Sequence, residues 1–180
     1  MENPVLKVYV ASPLGFSEAT RVWYRETFLP ALRACGVKVL DPWDDATCRE
    51  FEPPPASDTG SGAEHASVWK DTNARIGRRN TQLIHQAHGM VAVLDGADVD
   101  SGTAAEIGYA TALGRWVLGY RGDRRPRGDT PGSLVNLQVE YFIRMKGDMY
   151  PSLDGLVGAL KEKAAAFNAA HAGSRPSMRR

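Results

Sequence analysis

A doubly wound α/β fold, with a parallel sheet of four to five strands flanked by helices in a flavodoxin- or Rossmann-like winding, is what this sequence predicts. Three observations predict it. Short apolar runs rich in β-branched residues recur at Val5–Ala11, Val37–Leu40, Met90–Leu94 and Trp116–Tyr120. Segments with helical spacing of apolar residues separate most of them. Met90-Val91-Ala92-Val93-Leu94 is apolar without a break, the pattern of a strand covered on both faces. Strands alternating with helices give a parallel sheet, because parallel neighbours need a crossover between them.

The elements follow in order. Val5–Ala11 is predicted as the first strand, broken by Ser12-Pro13-Leu14-Gly15. Glu18–Ala34 reads as a helix with Ala19, Val22, Trp23, Leu29 and Leu32 near one face. Pro30 inside it predicts a kink or a second segment. Gly36 follows as a C-cap, then Val37–Leu40 as a second strand ending at Asp41-Pro42-Trp43-Asp44. Residues 45–66 contain Pro53-Pro54-Pro55 and Gly60-Ser61-Gly62 and almost no apolar periodicity. Their expectation is a long loop, either a lid or a plain insertion. A helix is expected over Val68–Ala87, a buried strand over Met90–Leu94, a helix over Thr103–Leu113 and a fourth strand over Trp116–Tyr120. Arg121–Ser133 is a basic, Gly/Pro-rich loop, Leu134–Ile143 a further short element, and Leu153–Ala170 an amphipathic closing helix. One domain is expected over residues 1–171, with 172–180 as a frayed basic tail.

Composition limits the function classes. The 180 residues suffice for one real core, since a domain of this size buries about 70% of its unfolded surface. A net charge of +1 implies no large basic face and argues against a nucleic-acid polymer as partner. Cys35 and Cys48 form no metal motif, and His65, His85, His88 and His171 do not pair at ligand spacing with a carboxylate. A surface helix accounts for His85 and His88 sharing a face. No cofactor or metal is expected. No apolar run reaches the ~18 residues of a membrane span. The first residues lack the charged start and apolar stretch of a signal peptide. The expectation is a cytoplasmic protein with reduced thiols.

In doubly wound sheets the ligand sits beyond the carboxyl ends of the strands, near the switch in strand order. That directs attention to Ser12–Phe16, Asp41–Asp44, Asp95–Glu106 and Arg121 onward. The stretch from Leu94 to Ala110 runs from a buried strand through a Gly-containing loop into a helix. Glu106 is expected about one turn into that helix, where dipole and free amides favour an ionised carboxylate, as a nucleophile needs. Asp100, expected on the loop without that support and beside another carboxylate, is expected to favour its protonated form. Two carboxylates with divergent proton affinities suggest an acid and a nucleophile, the division used in glycosyl transfer through a covalent intermediate. The plain alternative is an acidic loop followed by a turn and helix start at Gly102-Thr103. Neither GxGxxG nor GxxxxGK[ST] is present.

The sequence resembles the nucleoside 2-deoxyribosyltransferases from about Lys7 to Ile143. The segments that carry the resemblance are Val8-Tyr9-Val10-Ala11-Ser12-Pro13 with Phe16, Leu40-Asp41-Pro42-Trp43, Asp100-Ser101-Gly102-Thr103-Ala104-Ala105-Glu106-Ile107-Gly108-Tyr109-Ala110, and Asn136-Leu137-Gln138-Val139-Glu140-Tyr141-Phe142. The resemblance implies Glu106 as the nucleophile at C1' of deoxyribose, Asp100 as the acid toward the departing base, and Tyr9 as the residue orienting the nucleophile. It implies Phe16 and Trp43 in the base pocket, with Gly102 among the substrate-binding positions. It also implies a dimer or higher homo-oligomer in which a neighbouring subunit contributes Asn136, with Gln138 close by. Family members often have a second base-contacting Asp on the preceding helix, where this chain has Asn80. The implied reaction moves a 2-deoxyribosyl group between nucleobases, with 2'-deoxynucleosides and free bases as the small-molecule substrates.

A structural reading stands beside several of these residues: Tyr9, Phe16 and Trp43 as core aromatics, Asn136 as a turn cap, Asp95 and Asp98 as solvated loop acids. Two rival functions also stand. One is a hydrolase of 2'-deoxynucleoside 5'-monophosphates, which needs phosphate donors such as Arg121, Arg124 and Arg125 turned inward. The other is a non-catalytic nucleotide-binding sensor, against which Tyr9, Asp100 and Glu106 together argue.

Overall fold

The computed structural model describes residues 4–44, 62–125 and 128–172. Five strands form one all-parallel sheet: β1 Lys7–Ala11, β2 Lys38–Leu40, β3 Gly89–Val93, β4 Trp116–Tyr120 and β5 Asp148–Tyr150. Their order is β2-β1-β3-β4-β5. The chain leaves β1 outward to β2, then returns to lay β3 on the opposite side of β1. The two crossovers diverge between β1 and β3, and a cleft opens there above the carboxyl ends. β5 lies beyond the four apolar runs. Three residues beginning with an exposed Asp148 carry too little pattern to read as a strand without the neighbour that pairs with them.

All five residues of β3 are buried, as its unbroken apolar run requires of a strand covered on both faces. β1 divides its side chains by pleat. Val8 and Val10 join Val91, Val93 and Leu118 in one core layer with Tyr24, Phe28, Leu32, Leu156 and Leu160. Tyr9 and Ala11 point the other way, with Met90, Ala92 and Leu94, against Ile84, Ile107, Val139 and Ile143. Each such aliphatic side chain, once covered, stabilises the fold by about 1.5–3 kcal/mol. The same alternation sends Tyr9 to the face where the cleft lies.

The helices are α1 Glu18–Trp23, α2 Leu29–Arg33, α3 Gly62–Gln86, α4 Ser101–Ala112, α5 Leu137–Arg144 and α6 Leu153–Ala172. The single helix expected over Glu18–Ala34 is interrupted by a π-helical turn at Tyr24–Phe28, and α2 opens a second segment with Pro30 in its first turn. The reason is local: Pro30 has no N–H to donate, and Leu29 N reaches back five residues to Tyr24 O. The loop expected over 45–66 is shortened, because α3 takes in residues 62–66; residues 45–61 lie outside the described residues. His88 falls past the end of α3 rather than on its face, and accepts from Lys7 N at the start of β1. None of the described helices is long and apolar enough to cross a membrane.

Candidate active site

Four segments meet over the cleft between β1 and β3. Ser12 and Phe16 come from the turn after β1, Pro42 and Trp43 from the end of β2, and Ile76 and Asn80 from α3. Asp100, Gly102, Thr103 and Glu106 come from the start of α4. Together they line a cavity of about 180 Å³. Ile76 precedes Asn80 by four residues, one helical turn, and so shares its face.

The outer wall is aromatic. Phe16 is 65% exposed and meets Trp43 edge to face, with ring centroids 4.4 Å apart. The Trp43 indole donates to Ser12 O at 2.8 Å, which ties the end of β2 to the end of β1. A Cβ at Gly15 would lie 2.2 Å from that indole, so only glycine admits the ring. Beneath it Asp41 is buried, accepting from Tyr24 OH at 2.7 Å and from Trp43 N at 2.9 Å. Burial pushes the Asp41 carboxyl up, and those two donors hold the rise back. Asp41 therefore fixes the backbone that carries the wall, a role the sequence analysis did not assign. Its signal was its place, a carboxylate at the carboxyl end of a strand.

The floor holds the two expected carboxylates. Tyr9 OH donates to Glu106 Oε1 at 2.7 Å, and Asn80 Nδ2 donates to the same oxygen at 3.2 Å. Burial pushes the Glu106 carboxyl up to about 6; the bonds from Tyr9 and Asn80 oppose that, and the Asp100 charge adds to it. Burial also drives the Tyr9 phenol far above its ordinary value, with the Glu106 charge reinforcing it, so Tyr9 is a fixed donor. The reasons given for the two carboxylates from sequence need correction. α4 begins at Ser101, so Glu106 sits in its second turn, beyond the short reach of the terminal field. Burial governs it instead. Asp100 does not lack helix-start support. It is the N-cap of α4, and its Oδ2 accepts from Thr103 N at 2.9 Å and Thr103 Oγ1 at 3.2 Å. Gly102 stands beside it, where an added Cβ would lie 3.1 Å from that Oδ2.

Asn136 and Gln138 do not line this chain's cavity. Asn136 caps α5, its Oδ1 accepting from Gln138 N and Val139 N, and Gln138 is exposed. Leu134, Leu137, Tyr141 and Met145 stand exposed around them. Two of the three arginines after β4 are turned to other tasks. Arg121 is buried and donates to Leu94 O and Arg125 O, while Arg125 pairs with Asp123. Ser12, Pro42, Ile76 and Thr103 line the cavity without having been singled out. Ser12 and Pro42 lay in the loops flagged by strand ends, and Thr103 in the strand-to-helix stretch.

The family model described as nucleoside 2-deoxyribosyltransferase matches residues 8–140. Among curated proteins none matches the chain in sequence. Several solved structures are similar in fold. A conserved protein from Enterococcus faecalis V583 is 22% identical, with a TM-score of 0.61 over 89% of this chain and 99% of that one. A 2-desoxiribosyltransferase from Leishmania mexicana is 22% identical, with a TM-score of 0.60 over 87% and 97%. A 2-deoxyribosyltransferase from Bacillus psychrosaccharolyticus is 21% identical, with a TM-score of 0.56 over 86% and 95%.

Proposed function

The chain belongs to the nucleoside 2-deoxyribosyltransferase family, and on that premise we propose that it transfers 2-deoxyribosyl groups between nucleobases through a covalent ester on Glu106. The observation that carries the reading is the pair of carboxylates on one small cavity, with Tyr9 and Asn80 both donating to one oxygen of Glu106. Oε1 is thereby held, and Oε2 is the oxygen free to attack C1' of the sugar. As the C1'–O bond forms, the C1'–N bond breaks and its electron pair goes to the base nitrogen, with Asp100 supplying the proton. The incoming base then attacks C1' from the vacated face, the ester bond breaks, Glu106 regains its charge and Asp100 takes up the proton. Two inversions give net retention. A 2'-deoxy sugar lacks an electron-withdrawing hydroxyl beside C1', so its oxocarbenium-like transition state is reached more easily. That suits a site whose machinery is two carboxylates and two fixed donors. The aromatic Phe16–Trp43 wall suits a base, which can stack on one of its rings.

Incubation with 2'-deoxyinosine and adenine should yield 2'-deoxyadenosine, resolved by chromatography. Hypoxanthine release without any new nucleoside would replace transfer by hydrolysis. A hydrolase of 5'-monophosphates finds less support. No arginine or lysine lines the cavity among the described residues, and Arg121 and Arg125 are bonded elsewhere.

The reading includes assembly. A volume of 180 Å³ lies below the roughly 300 Å³ at which common ligand sites begin, so the described residues of one chain enclose only part of a nucleoside. Leu137, Tyr141 and Met145 recur at four-residue intervals, with Leu134 alongside, giving an exposed apolar stripe beside Asn136. A second copy seated on that stripe brings Asn136 and Gln138 to its partner's cavity. Inactive Glu106→Ala and Asn136→Ala proteins, mixed so that subunits exchange, should then regain about a quarter of the sites, because half the dimers are mixed and each holds one intact site. Proven exchange without recovery would sink the shared site.

A further inference from the structure

The hydrogen bonds of Asn80 are unusual for a residue kept by the fold. Its Nδ2 goes to Glu106, and its Oδ1 is buried with no partner among the described residues. A structural asparagine caps a helix or ties down a loop through both ends of its amide, and a half-satisfied buried amide costs stability. This one sits within α3, lines the cavity, and has the candidate nucleophile as its one hydrogen-bond partner among the described residues. Its orientation is set by that partner. An ionised Glu106 repels a carbonyl and attracts the N–H₂ group, which leaves Oδ1 facing away unpaired.

We propose that Asn80 is a positioning residue for the reaction assigned above: working with Tyr9, it fixes the Glu106 carboxylate plane and holds that group in its charged form, leaving the second oxygen free to react. The inference rests on the reading of Glu106 as nucleophile. The groups facing Glu106 are few. Tyr9 comes from β1 and donates, Asn80 comes from α3 and donates, and Asp100 at the N-cap of α4 repels. Asp41, at the end of β2, acts on Tyr9 and so bears on the pair from behind. Of the two donors only Asn80 lies on the cavity wall. A carboxylate at position 80 would stand at hydrogen-bond distance from Glu106 as a second negative charge, or would need a proton of its own. The amide supplies the donor at any pH. No proton has to be placed at position 80.

The test is the pH profile of kcat/KM for 2'-deoxyinosine with adenine as acceptor, in the wild type, Asn80→Leu and Asn80→Ala. Leucine removes the donor at nearly equal volume, and alanine covers the case in which leucine crowds the cavity. Removing a donor to the charged form raises the proton affinity of Glu106, so the acid limb moves up by about half to one pH unit. At pH 5 kcat/KM then falls about three- to tenfold beyond any loss at pH 8. An acid limb that coincides with the wild type in both variants overturns the proposal. So does a loss of equal size at every pH, which marks a structural role. A wild type inactive on every 2'-deoxynucleoside overturns the assigned reaction itself, and this inference with it. An active wild type whose limb survives in the variants overturns this inference alone.

Discussion

The loops leaving β3 and β4 start side by side at the carboxyl edge of the sheet, and both are rich in charge. They end in opposite conditions. The acidic loop after β3 delivers Asp100 to the helix cap and Glu106 one and a half turns on, and both line the cavity. The basic loop after β4 closes on itself. Arg121 is only 4% exposed and spends its guanidinium on Leu94 O and Arg125 O, while Asp123 accepts from Arg125 and Asp95 from Asp123 N. Charged residues at a strand end thus mark a site only when the fold leaves their polar atoms facing a cavity. On the β4 side the backbone consumes them, and what they do there is pin two loops together.

The sharpest way to break that contrast is Glu106→Gln, which keeps shape and removes charge. Transfer should fall on the order of 10³-fold or more. The same change should stabilise the fold, because burial raises Glu106 to about 6 from an ordinary carboxylate value. Between those values the folded state binds more protons than the unfolded one, so stability falls as pH rises through the window and stays lower above it. A few degrees' rise in Tm at pH 8, shrinking as pH drops through about 6 and gone below the ordinary carboxylate value, is the expected calorimetric result. A lower Tm at pH 8 would contradict it. In the wild type the acid limb of kcat/KM should have a midpoint near 6.

Next in size is Asp100→Asn, which retains an N-capping oxygen but cannot supply a proton. It should lower kcat about 10²-fold with little change in Tm. A raised KM at unchanged kcat would remove Asp100 from the acid role. Gly15→Ala should act through the wall: its Cβ displaces the Trp43 indole, and KM for the base should rise about tenfold with kcat less affected. Unaltered KM would show that the ring does not bear on the base.

The β4 loop should give the converse result. Arg121→Met leaves Leu94 O without its donor and should cost about 2 kcal/mol of stability in denaturant titrations, with activity per folded molecule changing less than about threefold. The smallest effect is expected at Arg125→Ala. KM for a 2'-deoxynucleoside and for its 5'-monophosphate should both stay near wild type, because Arg125 is engaged with Asp123. Selective loss of the monophosphate would bring the basic loop into the site after all.

Legibility differed by element for physical reasons. β1, β3 and β4 were readable to within a residue or two, because a strand between two layers of helices must be apolar along its length. β5 was not, since an edge strand of three residues is defined by its partner. The start of α3 was missed because Gly62–Ala66 has no helical apolar stripe, and the Ser61-Gly62-Ala63-Glu64 pattern of a helix start was read as loop. At the site, the sequence marked Asp100 and Glu106, which meet on one cavity, yet the physical reason drawn for the Glu106 charge failed. Local helix position suggested the dipole would rule, and burial ruled instead.

The sequence by itself determined the α/β order, the strand ends where a ligand could sit, and the residue types that could perform glycosyl transfer. The tertiary structure decided which of them meet. Tyr9 reaches Glu106 across 97 residues because pleat parity turns it toward α4, and Asn80 reaches the same oxygen across 26 because α3 packs beside α4. Asp41 finds a buried side-chain donor in Tyr24, 17 residues back, which its neighbours in sequence do not announce. Local pattern records periodicity and turn chemistry. Burial, the partner of each polar atom and the proton affinity that follows are set by side chains distant in sequence, and only the packed chain brings those together.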